Sequence, residues 1–415
     1  MTRPRPLLLA SAVTLLALTA AACGSGGSST GASGTTPPGP VHLQVLIASS
    51  GPAETQADQA AAAAWAKKTG NTATVTVASN MTQQLGQAFA ANKPPDVFYL
   101  TSGQQFATYA SEGALYPYGA QTTGASDFYP SLSSAFTYKG TFYCAPKDFS
   151  TLGLQINTTM WAKAGLTSAD IPTTWAQLTS VLTTLKNKLG SGVTPMVISP
   201  THDRVDAFLA QAGGGLTNAA GQITADTPQN LQALTYLQGL MKAGLIKYSS
   251  QVGAGWGGQA FGTGKAATTI EGNWIQGAMT TDYPTVKYET VQLPAGPSGP
   301  GTLVFTTCWG VPKQSANKAA AVSFVNFMTS PAQEMTFAKA FGVMPSLQSD
   351  KAAFLQEFPG DAPFMQSAAY AVGGPNLPNV ANVFTAYDNQ LTQLATTSPA
   401  AILSALQKNL SAAVG

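Results

Sequence analysis

The sequence predicts an α/β protein: a sheet of mostly parallel strands with helices on both faces. Two observations carry that expectation. In the first half, short apolar runs alternate with helical segments in the order β-α-β-α-β. The second half repeats this grammar with longer helices and no short-period repeat. Residues 41–47 alternate and then turn apolar, like a first strand entering a sheet. Residues 53–68 are alanine-rich and helical, closed by Gly70. Residues 72–77 form the second strand and 82–91 a short helix. Residues 96–100 form the third strand, introduced by Pro94-Pro95, and a helix over 106–112 ends at Gly113. The longer helices fall at 175–189, 203–212, 228–243 and 317–329. Ligands of open α/β sheets sit beyond the carboxyl ends of strands. The loops after Ile47, Leu100, Ile198 and Ile270 are therefore where a site is expected.

A chain of 415 residues exceeds one ordinary domain. Its 44% hydrophobic content can fill a large core. Only 9% of residues are charged, well below the roughly 25% of an average soluble protein. The formal net charge is +2, and both excess positives, Arg3 and Arg5, lie in the first five residues. Beyond residue 22, eighteen basic side chains balance eighteen acidic ones, and Arg204 is the one arginine. A nucleic-acid binder needs a basic stripe to displace counterions, and this chain has none. Scarce arginine also argues against specific capture of phosphate or sulfate.

Residues 1–22 read as a secretory signal: Arg3 and Arg5, an apolar run from Leu7 to Leu18, then small residues up to Cys23. The run is too short to span a bilayer. It resembles a bacterial lipoprotein signal, which implies that Cys23 is lipidated and becomes the first mature residue. Residues 23–40 are rich in Gly, Ser and Pro and read as a flexible tether. The expected protein is anchored to the outer face of the cell membrane rather than inserted in it.

Catalytic and metal-binding patterns are missing. His42 and His202 are the two histidines and lie far apart, without zinc-ligand spacing. There is no Gly-x-Ser-x-Gly elbow. The runs Gly213-Gly214-Gly215 and 253–258 lack the lysine and hydroxyl of a phosphate loop. No metal, cofactor or enzymatic activity is expected.

Several segments occur in a telling order. Pro95-Asp96-Val97-Phe98-Tyr99-Leu100 precedes Glu112-Gly113-Ala114-Leu115-Tyr116-Pro117. Phe142-Tyr143-Cys144-Ala145-Pro146 precedes Leu154-Gln155-Ile156-Asn157, Ala164-Gly165-Leu166 and Pro172-Thr173-Thr174-Trp175. Phe261-Gly262-Thr263-Gly264-Lys265 leads to Glu271-Gly272-Asn273-Trp274, then Leu293-Pro294-Ala295-Gly296-Pro297 and Gly342-Val343-Met344-Pro345. Together, over residues 41–415, they resemble the solute-binding proteins of sugar-type ABC transporters, the maltose-binding-protein-like family. The resemblance implies a two-lobe periplasmic-binding-protein-like fold with a hinge and an interlobe ligand cleft. Carried over, lobe 1 comprises 41–149 and 309–348, and lobe 2 comprises 150–308 and 349–415. Crossings fall near residues 147–152, 306–309 and 346–350. The implied function is capture of a neutral mono- or oligosaccharide and its delivery to the permease subunits of an ABC transporter, by a protein acting as a monomer. It further implies that Cys144 and Cys308 lie together, in a compartment that permits a disulfide.

A sugar site needs aromatic plates for the C–H face and polar groups for the hydroxyls. Trp274 follows Gly272-Asn273 after a strand, where the family often places a stacking aromatic. Trp256 lies among glycines that leave few neighbours to bury it, and Trp309 adjoins a crossing; each is a candidate plate or a core residue. Phe384, beyond Pro375-Asn376-Leu377-Pro378-Asn379, is a further aromatic candidate. Trp65, Trp161 and Trp175 read as packing residues on helices. The polar candidates are Ser49, Ser50 and Glu54 after the first strand, Ser102 and Gln104 after the third, Asp148 at the first crossing, His202 and Asp203 at a helix start, and Glu271 and Asn273 beside Trp274. Ser50 or Glu54 could equally cap a helix, Asp148 could pair with Lys147, and Asp203 could complement a helix dipole. Two other classes compete with the carbohydrate carrier: a binder of non-sugar solutes such as polyamines or iron, and a secreted glycosidase using two carboxylates.

Overall fold

The structure is a computed structural model and describes residues 39–218 and 220–414. Cys23, the segment read as a secretory signal and nearly all of the segment read as a tether lie outside the described residues. In chain order the strands are β1 (His42–Ile47), β2 (Thr72–Val77), β3 (Val97–Thr101), β4 (Thr137–Tyr138), β5 (Thr141–Phe142), β6 (Pro146–Asn157), β7 (Thr194–Ile198), β8 (Ile246–Tyr248), β9 (Ala266–Gly272), β10 (Tyr288–Val291), β11 (Thr302–Gly310) and β12 (Ala371–Val372).

The main sheet runs β2-β1-β3-β11-β6-β9-β7-β8, with β10 against β6 and β12 against β11. This corrects the expectation of a mostly parallel sheet. The outer pairs β1/β2, β1/β3, β7/β8 and β7/β9 are parallel, but β11 and β6 run antiparallel to each other and to their neighbours β3 and β9. The reason is the double crossing: β6 carries the chain from the first body to the second and β11 carries it back, so the two run in opposite directions. β6 has 12 residues and β11 has 9, enough for each to pair with one body at one end and with the other body at the other end. The helices and strands that the sequence reading placed are found to within a residue or two, for instance Pro52–Thr69 and Trp175–Leu189, whereas Pro130–Ala135, Thr158–Lys163 and the β4–β5 pair were not among them.

Two apolar cores flank the crossings. The first gathers Leu43, Val45, Phe98, Phe106, Trp309 and Phe324; the second gathers Leu154, Ile156, Leu182, Phe208, Leu237 and Leu406. A smaller cluster, including Phe149, Val304, Met344 and Phe364, fills the space at the crossing strands themselves. Burial of such side chains contributes about 1.5–3 kcal/mol each, so each body has its own stabilising core. Cys144 and Cys308 form a disulfide beside the crossing, with Cα atoms 5.8 Å apart. Asn376 reaches from the second body to the first, donating to the carbonyls of Ala135 and Thr137 at 3.1 Å each.

Candidate functional site

A cavity of about 1240 Å³ opens between the two cores. Its walls are the loops at the strand ends singled out above: Ser50 after β1, Ser102 and Gln104 after β3, His202 and Asp203 after β7, Asn273 and Trp274 after β9. The crossing strands form its floor through Asp148, Phe305 and Thr306.

On the second body, two helices present matched pairs one turn apart. His202 and Asp206 lie on His202–Gln211, and Phe384 and Asp388 lie on Ala381–Leu391. The His202 ring stacks on Phe384 with centroids 4.5 Å apart and planes 14° from parallel. Asp388 Oδ1 accepts from the His202 backbone N–H at 2.7 Å and contacts Nδ1 at 2.8 Å. It thereby caps the positive end of the first helix. Burial by itself would lower the His202 pKa, but Asp388, Asp206 and Asp203 outweigh it and lift it to about 9. Burial pushes Asp206 up to about 7, against the pull of His202 and the hydroxyl of Tyr387.

Trp274 is 38% exposed on the same side. Its Nε1–H donates to Glu271 Oε2 at 3.1 Å, and the Arg204 guanidinium lies 5.1 Å from its ring centre. On the first body the charged centre is Lys147. It contacts Asp148, pairs with Glu54 at 3.2 Å, and lies over the Tyr99 ring at 4.5 Å. These groups line a side chamber of about 290 Å³ that shares Ser50, Thr101 and Asp148 with the main cavity. Burial would lower the Lys147 pKa, yet Asp148, Glu54 and Asp58 hold it well above the ordinary lysine value. Burial pushes Asp58 up to about 7, although Lys147 and the Tyr99 hydroxyl pull the other way.

The structure thus brings Ser50, Ser102, Gln104, Asp148, His202, Asp203, Asn273, Trp274 and Phe384 to one cavity. Five candidates sit elsewhere. Ser49 donates to the Gly51 carbonyl at 2.7 Å and accepts from Thr55, shaping the start of helix Pro52–Thr69. Glu54 is buried, accepts from the Ser50 N–H and hydroxyl at 2.7 Å each, and faces Lys147 in the side chamber. Glu271 is fully buried at 0% exposure and faces Arg204. Trp309 is 1% exposed and packs edge-on against Tyr99 and Phe324 in the first core, because its strand end lies inside that core. Trp256 is half-buried in a patch with Phe261, Ile275 and Met279. Its flanking glycines act opposite to the expectation: a Cβ on Gly258 would lie 2.1 Å from the indole, so the bare backbone packs on the ring.

Other cavity residues escaped the sequence reading: Phe305, Asp206, Asp388 and the segment around Phe341. For Asp206 and Asp388 a signal existed, the i,i+4 spacing from His202 and Phe384. Phe305 carried none, since the run Leu303-Val304-Phe305 does not alternate.

The family profile of bacterial extracellular solute-binding proteins matches residues 49–335. The chain belongs to this family. No curated protein matches the sequence. Among solved structures, this solute-binding protein is similar to the cyclic alpha-maltosyl-1,6-maltose binding protein of Arthrobacter globiformis, with TM-score 0.78 and 22% identity over 91% of this chain and 99% of that one. It is similar to the sugar-binding protein MalE of Xanthomonas citri, with TM-score 0.77 and 19% identity over 90% and 97%. Lmo0181 of Listeria monocytogenes, solved with cycloalternan, gives TM-score 0.76 and 20% identity over 90% and 98%. At these identities the likeness speaks for the two-lobe fold. The family is extracellular, and no helix among the described residues is long and apolar enough to cross a membrane. Among the same residues, no group of three His, Cys, Asp or Glu is arranged to hold a metal ion.

Proposed function

We propose that this solute-binding protein captures a carbohydrate in the cleft between its lobes and delivers it to an ABC transporter permease. The observation that carries the reading is the cleft wall. An exposed indole, Trp274, faces the same space as the stacked His202–Phe384 pair and the polar groups of Ser102, Gln104, Asp148, Asp203 and Asn273. Aromatic faces suit the C–H face of a pyranose, and the polar groups suit its hydroxyls. The similar proteins named above, described as binding maltose-type or cyclic oligosaccharides, support the same class. The proposal includes the lobe limits 41–149 with 309–348 and 150–308 with 349–415, anchoring through a lipid on Cys23, action as a monomer, and a purely binding role.

A thermal-shift screen with maltose, maltotetraose and cyclic tetrasaccharides, followed by calorimetry, tests it. A ligand at a hundred times its Kd stabilises the fold by about 2.7 kcal/mol. Stabilisation by a sugar that is recovered intact supports the proposal. Stabilisation by polyamines or other non-sugars alone, or cleavage of the sugar, refutes it.

A further inference from the structure

The geometry points to Arg204 and Glu271 as positioning residues that hold the Trp274 indole in place at the cleft wall. The inference rests on reading that cleft as the ligand site. An exposed tryptophan on a turn would otherwise lose rotamer freedom whenever a ligand stacked on it, and that loss weakens binding.

Four features fix this ring. Its Nε1–H donates to Glu271 Oε2 at 3.1 Å. The Arg204 guanidinium lies 5.1 Å from the ring centre, in cation–π range. Phe305 meets the ring edge-to-face, with centroids 5.3 Å apart and planes at 87°. Gly272 passes so close that a Cβ there would lie 2.2 Å from the indole.

The anchor is itself rigid. Glu271 is wholly buried, and the Gln155 side chain on β6 accepts from its N–H at 2.9 Å and donates to its carbonyl at 3.2 Å. Arg204 is committed: Nε and Nη2 donate to Glu271 Oε2 at 3.2 and 2.5 Å, and Nη1 donates to the Asp203 carbonyl at 3.1 Å. Neither residue lines the cavity, whereas Trp274 does. Both therefore act on a ligand through the indole. The planar guanidinium can hydrogen-bond a carboxylate while lying over a ring, which an ammonium does less well.

The test labels the full chain with 5-fluorotryptophan and follows 19F NMR. The Trp274 line is assigned by its loss in Trp274→Phe. A lone Arg204→Met leaves Glu271 buried without its counter-charge, so the charge-free pair Arg204→Met/Glu271→Gln is measured beside it. In the pair variant the Trp274 line is expected to shift and broaden while the lines of the other five tryptophans stay in place. Maltotriose affinity by calorimetry is expected to weaken roughly two- to tenfold, the effect of freeing one ordered side chain. An unmoved Trp274 line overturns the inference, as does a moved line with unchanged maltotriose affinity. If the wild-type protein binds no carbohydrate, the carbohydrate reading falls by itself, and the line comparison still decides whether Arg204 and Glu271 hold the ring.

Discussion

Lys147 in the first body and Arg204 in the second each pair with buried acids beside the cleft, and the two are used differently. Lys147, in the first body, faces Glu54 and Asp148 with Asp58 close by. Arg204, in the second, faces the single carboxylate of Glu271. Lysine is a compact point charge with three donors and suits several acids at once; arginine is a plane that suits one carboxylate and one ring. The Lys147 cluster holds more negative groups than one ammonium neutralises, and burial keeps Asp58 largely protonated up to about pH 7. It lies on β6, the crossing strand, so its charge balance bears on the hinge region. The Arg204 pair is balanced, and its product is a fixed aromatic surface.

Removing the two cations one at a time tests the contrast directly. Lys147→Met strands two buried carboxylates and is expected to destabilise the fold by about 3–5 kcal/mol. Arg204→Met is expected to cost less, about 1–3 kcal/mol, because one carboxylate rather than two loses its counter-charge. Urea denaturation of both variants checks the order; equal losses would erase the distinction.

The tryptophans extend the contrast from charge to ring. Trp309→Ala is expected to cost about 3–5 kcal/mol of stability, as for a large cavity in a core, with sugar affinity changed little. Trp274→Ala is expected to leave stability nearly unchanged and weaken binding by about 1–3 kcal/mol, the range of an anchor residue. Melting curves and calorimetry on the same two variants separate these outcomes.

The contrast also extends to pH. Asp58 and Asp206 titrate at about 7 in the folded protein, above the ordinary 3.8. Between those values the folded state binds more protons than the unfolded chain, so each group's contribution to stability falls as pH rises from about 4 to 7. His202, raised from 6.5 to about 9, contributes stability below pH 6.5 that is lost as pH rises towards 9. Asp58→Asn is expected to flatten the first window and Phe384→Leu to leave it alone. A stability profile that rises from pH 4 to 7, with no flattening in Asp58→Asn, would contradict this account of the first body's cluster.

Much of this protein follows from local sequence. Alternation at residues 41–47, the glycine stop at Gly70 and the helical runs at 175–189 and 228–243 fix those strands and helices, because such patterns depend only on neighbours along the chain. The same reading put the site at the carboxyl ends of the strands, where Ser50, Ser102, His202 and Asn273 meet the cavity. Orientation was beyond it. Trp256, Trp309 and Trp274 all sit in short apolar or glycine-containing segments. Which of them is plate or core depends on what lies across the gap: Gly258 backbone for Trp256, Phe324 for Trp309, open cleft for Trp274. Likewise Glu271 is named by its motif, but its partner Arg204 lies 67 residues away, and only the pairing of β9 with β7 brings the two together. Contacts of that kind join residues distant along the chain, and no local pattern records them.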